Sequence, residues 1–214
     1  MKSIKLIGLI ALLALIAMAF VGASTAMATS TALCKEDPVN LTEEKCPAGK
    51  LVTHVHEATL AGSPAVLLSS AGNVLCDALF LGDTLESGLG NPLKIHGHFT
   101  YTNCVRHKIF GGTEACTVSE VSADSLIEVL KEGHETGKVT GNGEVKVECG
   151  SVINCTYDGE NLIGTAKGPL LSTMLNGDVT VTNQTTHSTG GAFCPATGKL
   201  DIMTTPLEHT YIGK

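Results

Sequence analysis

Leu93-Lys94-Ile95-His96-Gly97-His98-Phe99-Thr100-Tyr101-Thr102-Asn103 is the stretch that decides the fold class. Leu93, Ile95, Gly97, Phe99 and Tyr101 fall on one face, and Lys94, His96, His98, Thr100 and Thr102 fall on the other. Successive side chains of a strand point to opposite sides, so this period of two predicts a half-buried β-strand. The pattern repeats outward through shorter runs at Leu51 to Leu60, Asn73 to Phe80, Gly143 to Cys149, Val152 to Tyr157, Pro169 to Leu175, Asp178 to Asn183, Lys199 to Thr204 and Leu207 to Ile212. Turns are expected at Gly88 to Pro92, Gly141-Asn142-Gly143, Asp158-Gly159, Asn176-Gly177 and Gly190-Gly191. The 24 glycines, with a comparable number of threonines, suit strands joined by tight turns. Ser125 to Gly133 carries helix signals, a Ser with Glu128 three residues on and a closing Gly, but its setting among strands favours strand. The expected fold is all-β, an antiparallel β-sandwich or flattened barrel with disulfide staples.

With 214 residues and 43% hydrophobic content, the chain can bury one core, and disorder is excluded as its main description. Its start reads as an export signal. Lys2 and Lys5 precede an apolar run from Leu6 to Val21, and Ala26-Met27-Ala28 forms a small-residue cleavage site. Residues 1–28 are therefore read as a signal peptide cut before Thr29, and 29–214 as a single disulfide-stapled β domain. No later stretch is apolar enough to cross a membrane, so no span is expected after cleavage.

The formal charge is −7, with 21 acids against 14 bases. Removing Lys2 and Lys5 with the signal makes the balance more acidic. Arg106-His107-Lys108 is the one local basic cluster, which disfavours nucleic acid as a partner. Trp is absent and aromatic content is 4%, so platforms for stacking bases are scarce.

Export turns an even set of eight cysteines into expected disulfides rather than thiols or zinc ligands. Eight cysteines allow on the order of 100 connectivities. Short spacings favour Cys34–Cys46, Cys104–Cys116 and Cys149–Cys155 as local clips, which leaves Cys76–Cys194 as the long bridge. No C-x2-C pair supports a zinc site.

The sharpest chemical candidates are two His-x-His pairs, His54-Val55-His56 and His96-Gly97-His98. On a strand, residues two apart share a face, so each pair supplies two ligands for a metal ion once the fold brings a third, such as Glu57 or His209. The plainer reading of His96 and His98 is a solvated face shared with Lys94, Thr100 and Thr102. His54 and His56 keep company with Val52, Ala58 and Leu60. There is no G-x-S-x-G elbow, phosphate loop, H-E-x-x-H helix or EF-hand, and no cofactor is implied. Asp158-Gly159-Glu160-Asn161 has the oxygen ligands for calcium but reads more simply as a turn.

Three segments together carry a resemblance: Thr31 to Pro38 leading to Lys45-Cys46-Pro47-Ala48-Gly49, then Val147 to Tyr157, then Phe193-Cys194-Pro195-Ala196 running to Tyr211-Ile212. In these the chain resembles an uncharacterised family of secreted Cys-rich β proteins from Solirubrobacterales-type soil actinobacteria. The resemblance implies export, a β fold and paired cysteines, and brings no catalytic residue. The function expected is that of a secreted or envelope-associated, non-enzymatic protein with a structural or binding role. Its partner would be a cell-surface or extracellular protein or a glycan. The alternative is a metal-binding protein or metal-dependent hydrolase built on the His pairs.

Overall fold

The computed structural model describes residues 30–38, 44–122 and 125–214. The expected signal peptide and its cut before Thr29 lie outside the described residues. Within them, every strand pairing is antiparallel and no helix is long and apolar enough to cross a membrane.

Six long strands form most of the wall: β4 (Gly72–Thr84), β6 (Leu93–His107), β9 (Thr136–Cys149), β10 (Ile153–Lys167), β11 (Asp178–Gly190) and β12 (Thr197–Pro206). Two further staves each consist of two short strands in line. The first joins β2 (His54–Ala58) and β3 (Ala65–Ser69), which pair with β4 on one side and β12 on the other. The second joins β7 (Thr113–Glu120) and β8 (Ser125–Gly133), which pair with β6 and β9. The ladder β4–β6 and the chain from β9 through β12 complete the ring. The wall is thus a closed eight-stave, up-and-down barrel, and closure leaves it no open sheet edge.

Closing so few staves requires strong local curvature, which bulges supply. The three bulges on β6, β10 and β11 each contain an Asn in the left-handed region: Asn103 (φ 52°), Asn161 (φ 53°) and Asn183 (φ 52°). Asn tolerates this conformation better than other non-glycine residues. The residue opposite the bulge then accepts the freed backbone N–H: Asn142 Oδ1 from Asn161 at 2.8 Å, and Asp201 Oδ1 from Asn183 at 2.5 Å.

The alternation read at Leu93 to Tyr101 is observed, with Leu93 and Ile95 buried inside the barrel. Gly97 shares that inner face for a steric reason. A Cβ there would lie 2.5 Å from the Phe80 ring and 2.4 Å from the Leu81 carbonyl oxygen. The ring of Phe80 instead meets Phe99 with centroids 4.8 Å apart.

One balanced expectation is borne out and several others are corrected. Ser125–Gly133 is a strand, as its setting suggested. Pro169 to Leu175 is a turn-rich connection, and of the expected 207–212 strand only Tyr211 and Ile212 pair, within β13 (Tyr211–Gly213). Gly141-Asn142-Gly143 and Asp158-Gly159 lie inside β9 and β10 rather than at turns. Of the expected calcium-loop residues, Asp158 is paired in register on β10, and Glu160 and Asn161 form a bulge.

The disulfides need the largest correction. Cys34–Cys46 forms as expected, but Cys104–Cys116, Cys149–Cys155 and Cys76–Cys194 do not. The bridges are Cys76–Cys104, Cys116–Cys149 and Cys155–Cys194. Strand register explains the failure of the shortest clip. Cys149 sits opposite Ile153 and Cys155 opposite Val147, which makes the two cysteines diagonal neighbours at roughly 7–8 Å, beyond the usual disulfide reach. Cys116 and Cys149, by contrast, are direct partners across β7 and β9, with Cα atoms 4.2 Å apart.

The barrel ends differ in construction. At the end holding the β3–β4, β6–β7, β9–β10 and β11–β12 connections, Cys76–Cys104 and Cys116–Cys149 tie neighbouring staves, and Cys155–Cys194 ties β10 to the β11–β12 connection. A second, three-stranded sheet covers the other end, in the order β13–β1–β5, from β1 (Thr31–Cys34) and β5 (Leu89–Gly90). Leu33 and Ile212 pack from this sheet onto Val55, Phe80, Leu93 and Val129. On the barrel side of β13, side chains replace a neighbouring strand. Glu135 Oε2 accepts from Ile212 N at 3.0 Å, and Lys131 Nζ donates to Ile212 O at 3.0 Å.

Candidate functional site

The four candidate histidines lie on one outer face of the barrel. His54 and His56 on β2, and His96 and His98 on β6, flank β4 from opposite sides. The register places Asp83 between His54 and His96, and Leu81 between His56 and His98. All four histidines are exposed. Asp83 Oδ1 lies 2.5 Å from His54 Nδ1, with both side chains more than 70% accessible. Two strand spacings, about 10 Å, separate the two pairs, which is too far for one ion.

Nor does the fold bring the expected third ligand. Glu57 alternates with His54 and His56 along β2 and so points inward, where its Oε2 accepts from Thr204 Oγ1 at 2.6 Å. His209 lies in the β12–β13 connection. Among the described residues, no group of three or more His, Cys, Asp or Glu is placed to hold a metal ion. The company assigned to His54 and His56 is also corrected. Val52 is buried, but it precedes β2 and donates its N–H to Leu33 O, so it does not set the facing of that strand. Val55 and Glu57 do.

The inward face encloses a cavity of about 150 Å³ between the two packed ends. Aliphatic side chains such as Val139, Val181 and Ile202 line most of it, together with Phe99, Tyr101 and Tyr157. Glu57 stands between this cavity and a smaller one of about 50 Å³ towards the three-stranded sheet. Burial pushes the Glu57 carboxyl above its ordinary value, and the Thr204 hydrogen bond only partly offsets that penalty. No cation compensates it among the described residues.

A second carboxylate, Glu120, marks the break between β7 and β8. Phe99 falls at this gap, and its N–H donates to Glu120 Oε2 at 2.7 Å. Ser125 Oγ donates to the other oxygen, Oε1. Glu120 therefore completes the wall where the backbone ladder is interrupted. It also lies close enough to Tyr101 that its charge, added to the stronger effect of burial, pushes the phenol well above its ordinary value. Facing the break, β9 runs from Gly141, the last residue paired with β8, to Val145 beside β7. Asn142 and Glu144 join the cavity lining there, so the cavity reaches the wall at this point.

Sequence reading weighed Glu57 only as a metal ligand and missed Glu120, Thr204 and Tyr157. A usable signal was present in β2, where a Glu shares its face with the buried Val55. The cavity has no local signal, because its wall comes from strands spread over the whole chain. No family model, curated protein or solved structure matches this chain.

Proposed function

We propose that the chain is an exported, non-enzymatic binding protein whose barrel takes up a small, mainly apolar molecule. The observation that carries this reading is the interior cavity. An apolar cavity of about 150 Å³ is of the size that takes a benzene-like molecule. Small eight-stave barrels are either filled by side chains or hold one small ligand, and here the filling stops short between the two ends. Four disulfides, typical of extracellular proteins, support export, as does the apolar run at the start of the chain. Retention at the envelope and docking to a surface protein or glycan are compatible with a loaded or empty barrel.

The test has two parts. Mass spectrometry of the exported protein should give the mass of Thr29 to Lys214 less eight hydrogens. Titration calorimetry with toluene, benzyl alcohol and benzylamine should then detect binding of at least one to the oxidised chain. A Val181→Phe variant, which fills the cavity, should abolish that binding. Absence of binding by all three compounds would refute the reading.

A further inference from the structure

Resting on that reading, we infer that the molecule is a small primary amine, bound as the ammonium ion, with its charge on Glu57 and its apolar body in the cavity. The charge of the wall selects this class. Glu57 and Glu120 point their carboxyls to the cavity side, and among the described residues no Lys, Arg or His lines it. A neutral apolar guest has no use for two carboxylates, and an anionic one would be repelled by them.

Their bonding distinguishes the carboxylates. Both oxygens of Glu120 are engaged by the broken wall, by Phe99 N–H and Ser125 Oγ. Glu144 shares the outward face of Asn142, and its carboxyl takes no part in the interior. Glu57 is the enclosed one, with Oε2 held by Thr204 and no ion-pair partner among the described residues. A buried carboxylate left without a cation is costly, and a charged guest that supplies one recovers much of that cost. Phe99, Tyr101 and Tyr157 add ring faces that attract an ammonium group and an apolar body alike. The bridge of Glu57 to Thr204 fixes the carboxyl on the wall between β2 and β12, so the guest meets a positioned acceptor.

Benzylamine, benzyl alcohol and toluene separate the outcomes, since they share a ring and differ in charge. On the oxidised full chain at neutral pH, benzylamine should bind at least tenfold more tightly than benzyl alcohol. Glu57→Gln should bring that ratio close to one. Val181→Phe should remove benzylamine binding, and its persistence there would place the amine on the outer acidic surface and overturn the inference. Equal or tighter binding of benzyl alcohol or toluene would overturn the amine while leaving the cavity reading intact. Failure of all three compounds would overturn both. The wild-type ratio decides the matter even where Glu57→Gln does not fold.

Discussion

The two ends of the barrel solve the same problem by different chemistry. One is closed covalently, with Cys76–Cys104 and Cys116–Cys149 tying staves that are already neighbours and Cys155–Cys194 tying β10 to the β11–β12 loop. The other is closed by packing a short sheet over the opening, where Leu33 and Ile212 bury apolar surface and Lys131 and Glu135 satisfy the backbone of Ile212. The covalent end draws its stability from restricting the unfolded chain, the packed end from contacts present only when folded. The difference has a practical lesson. The first resists conditions that weaken contacts and is sensitive to reductant, whereas the second responds to single side-chain changes and to pH.

Reduction gives the largest expected effect. Disulfides closing loops of 12 to 39 residues contribute roughly 2–4 kcal/mol each, about 10 kcal/mol together after native strain. For a chain of this size that corresponds to a fall in Tm of roughly 20–40 °C. Calorimetry with and without reductant checks it, and an unchanged Tm would show that the four disulfides contribute nothing.

The packed end is broken most directly at Ile212, which is 3% exposed. Ile212→Ala should cost about 2–5 kcal/mol in denaturant unfolding, by loss of burial and creation of a void. Since Cys34–Cys46 lies on the same end sheet, additivity is tested in a Cys34→Ala, Cys46→Ala background, where the effect of Ile212→Ala should add to that of reduction if the two ends act independently. A cost under 0.5 kcal/mol would mean that the end sheet is only loosely attached.

The smallest effect concerns Glu135. Burial pushes its carboxyl above the ordinary carboxylate value, and the Ile212 N–H and Lys131 only partly counter this. A folded-state pKa above the unfolded one means the folded chain holds the proton longer. That contribution is present at low pH and is lost as pH rises through the ordinary carboxylate range towards the raised value. Glu135→Gln, which mimics the protonated form, should match the wild type near pH 4 and exceed it increasingly as the pH rises to 8. Glu44, held low chiefly by His134, works in the opposite sense and loses its contribution as pH falls. A difference between Glu135→Gln and wild type that stays constant with pH would exclude the assignment.

The sheet class was legible because single strands carry their own alternation, as Leu93 to Tyr101 does. What escaped reading depends on relations between strands. Gly141-Asn142-Gly143 has the composition of a turn, yet it runs straight past the gap between β7 and β8, which the β9 sequence does not encode. Asn103, Asn161 and Asn183 look like turn residues and are the bends that close the wall. The His pairs were visible, but their joint placement beside β4 needed the register. Glu57 was visible as an acid, while its burial followed only from knowing which face of β2 turns inward.

The cysteines on the stapled end have one more consequence. Cys76, Cys104, Cys116 and Cys149 stand on successive strands β4, β6, β7 and β9, and Cys104 and Cys116 each lie one residue past the Val105–Ala115 pair. Four sites in a row, each able to join only the next, can be completely paired in a single way: first with second, third with fourth. Joining the middle two strands the outer two on either side of β6 and β7, where neither finds a mate. A wrong first bond is thus self-announcing, because it leaves two thiols free to attack it. The order of the strands around the barrel acts as an error-detecting code for the bonds that fasten it.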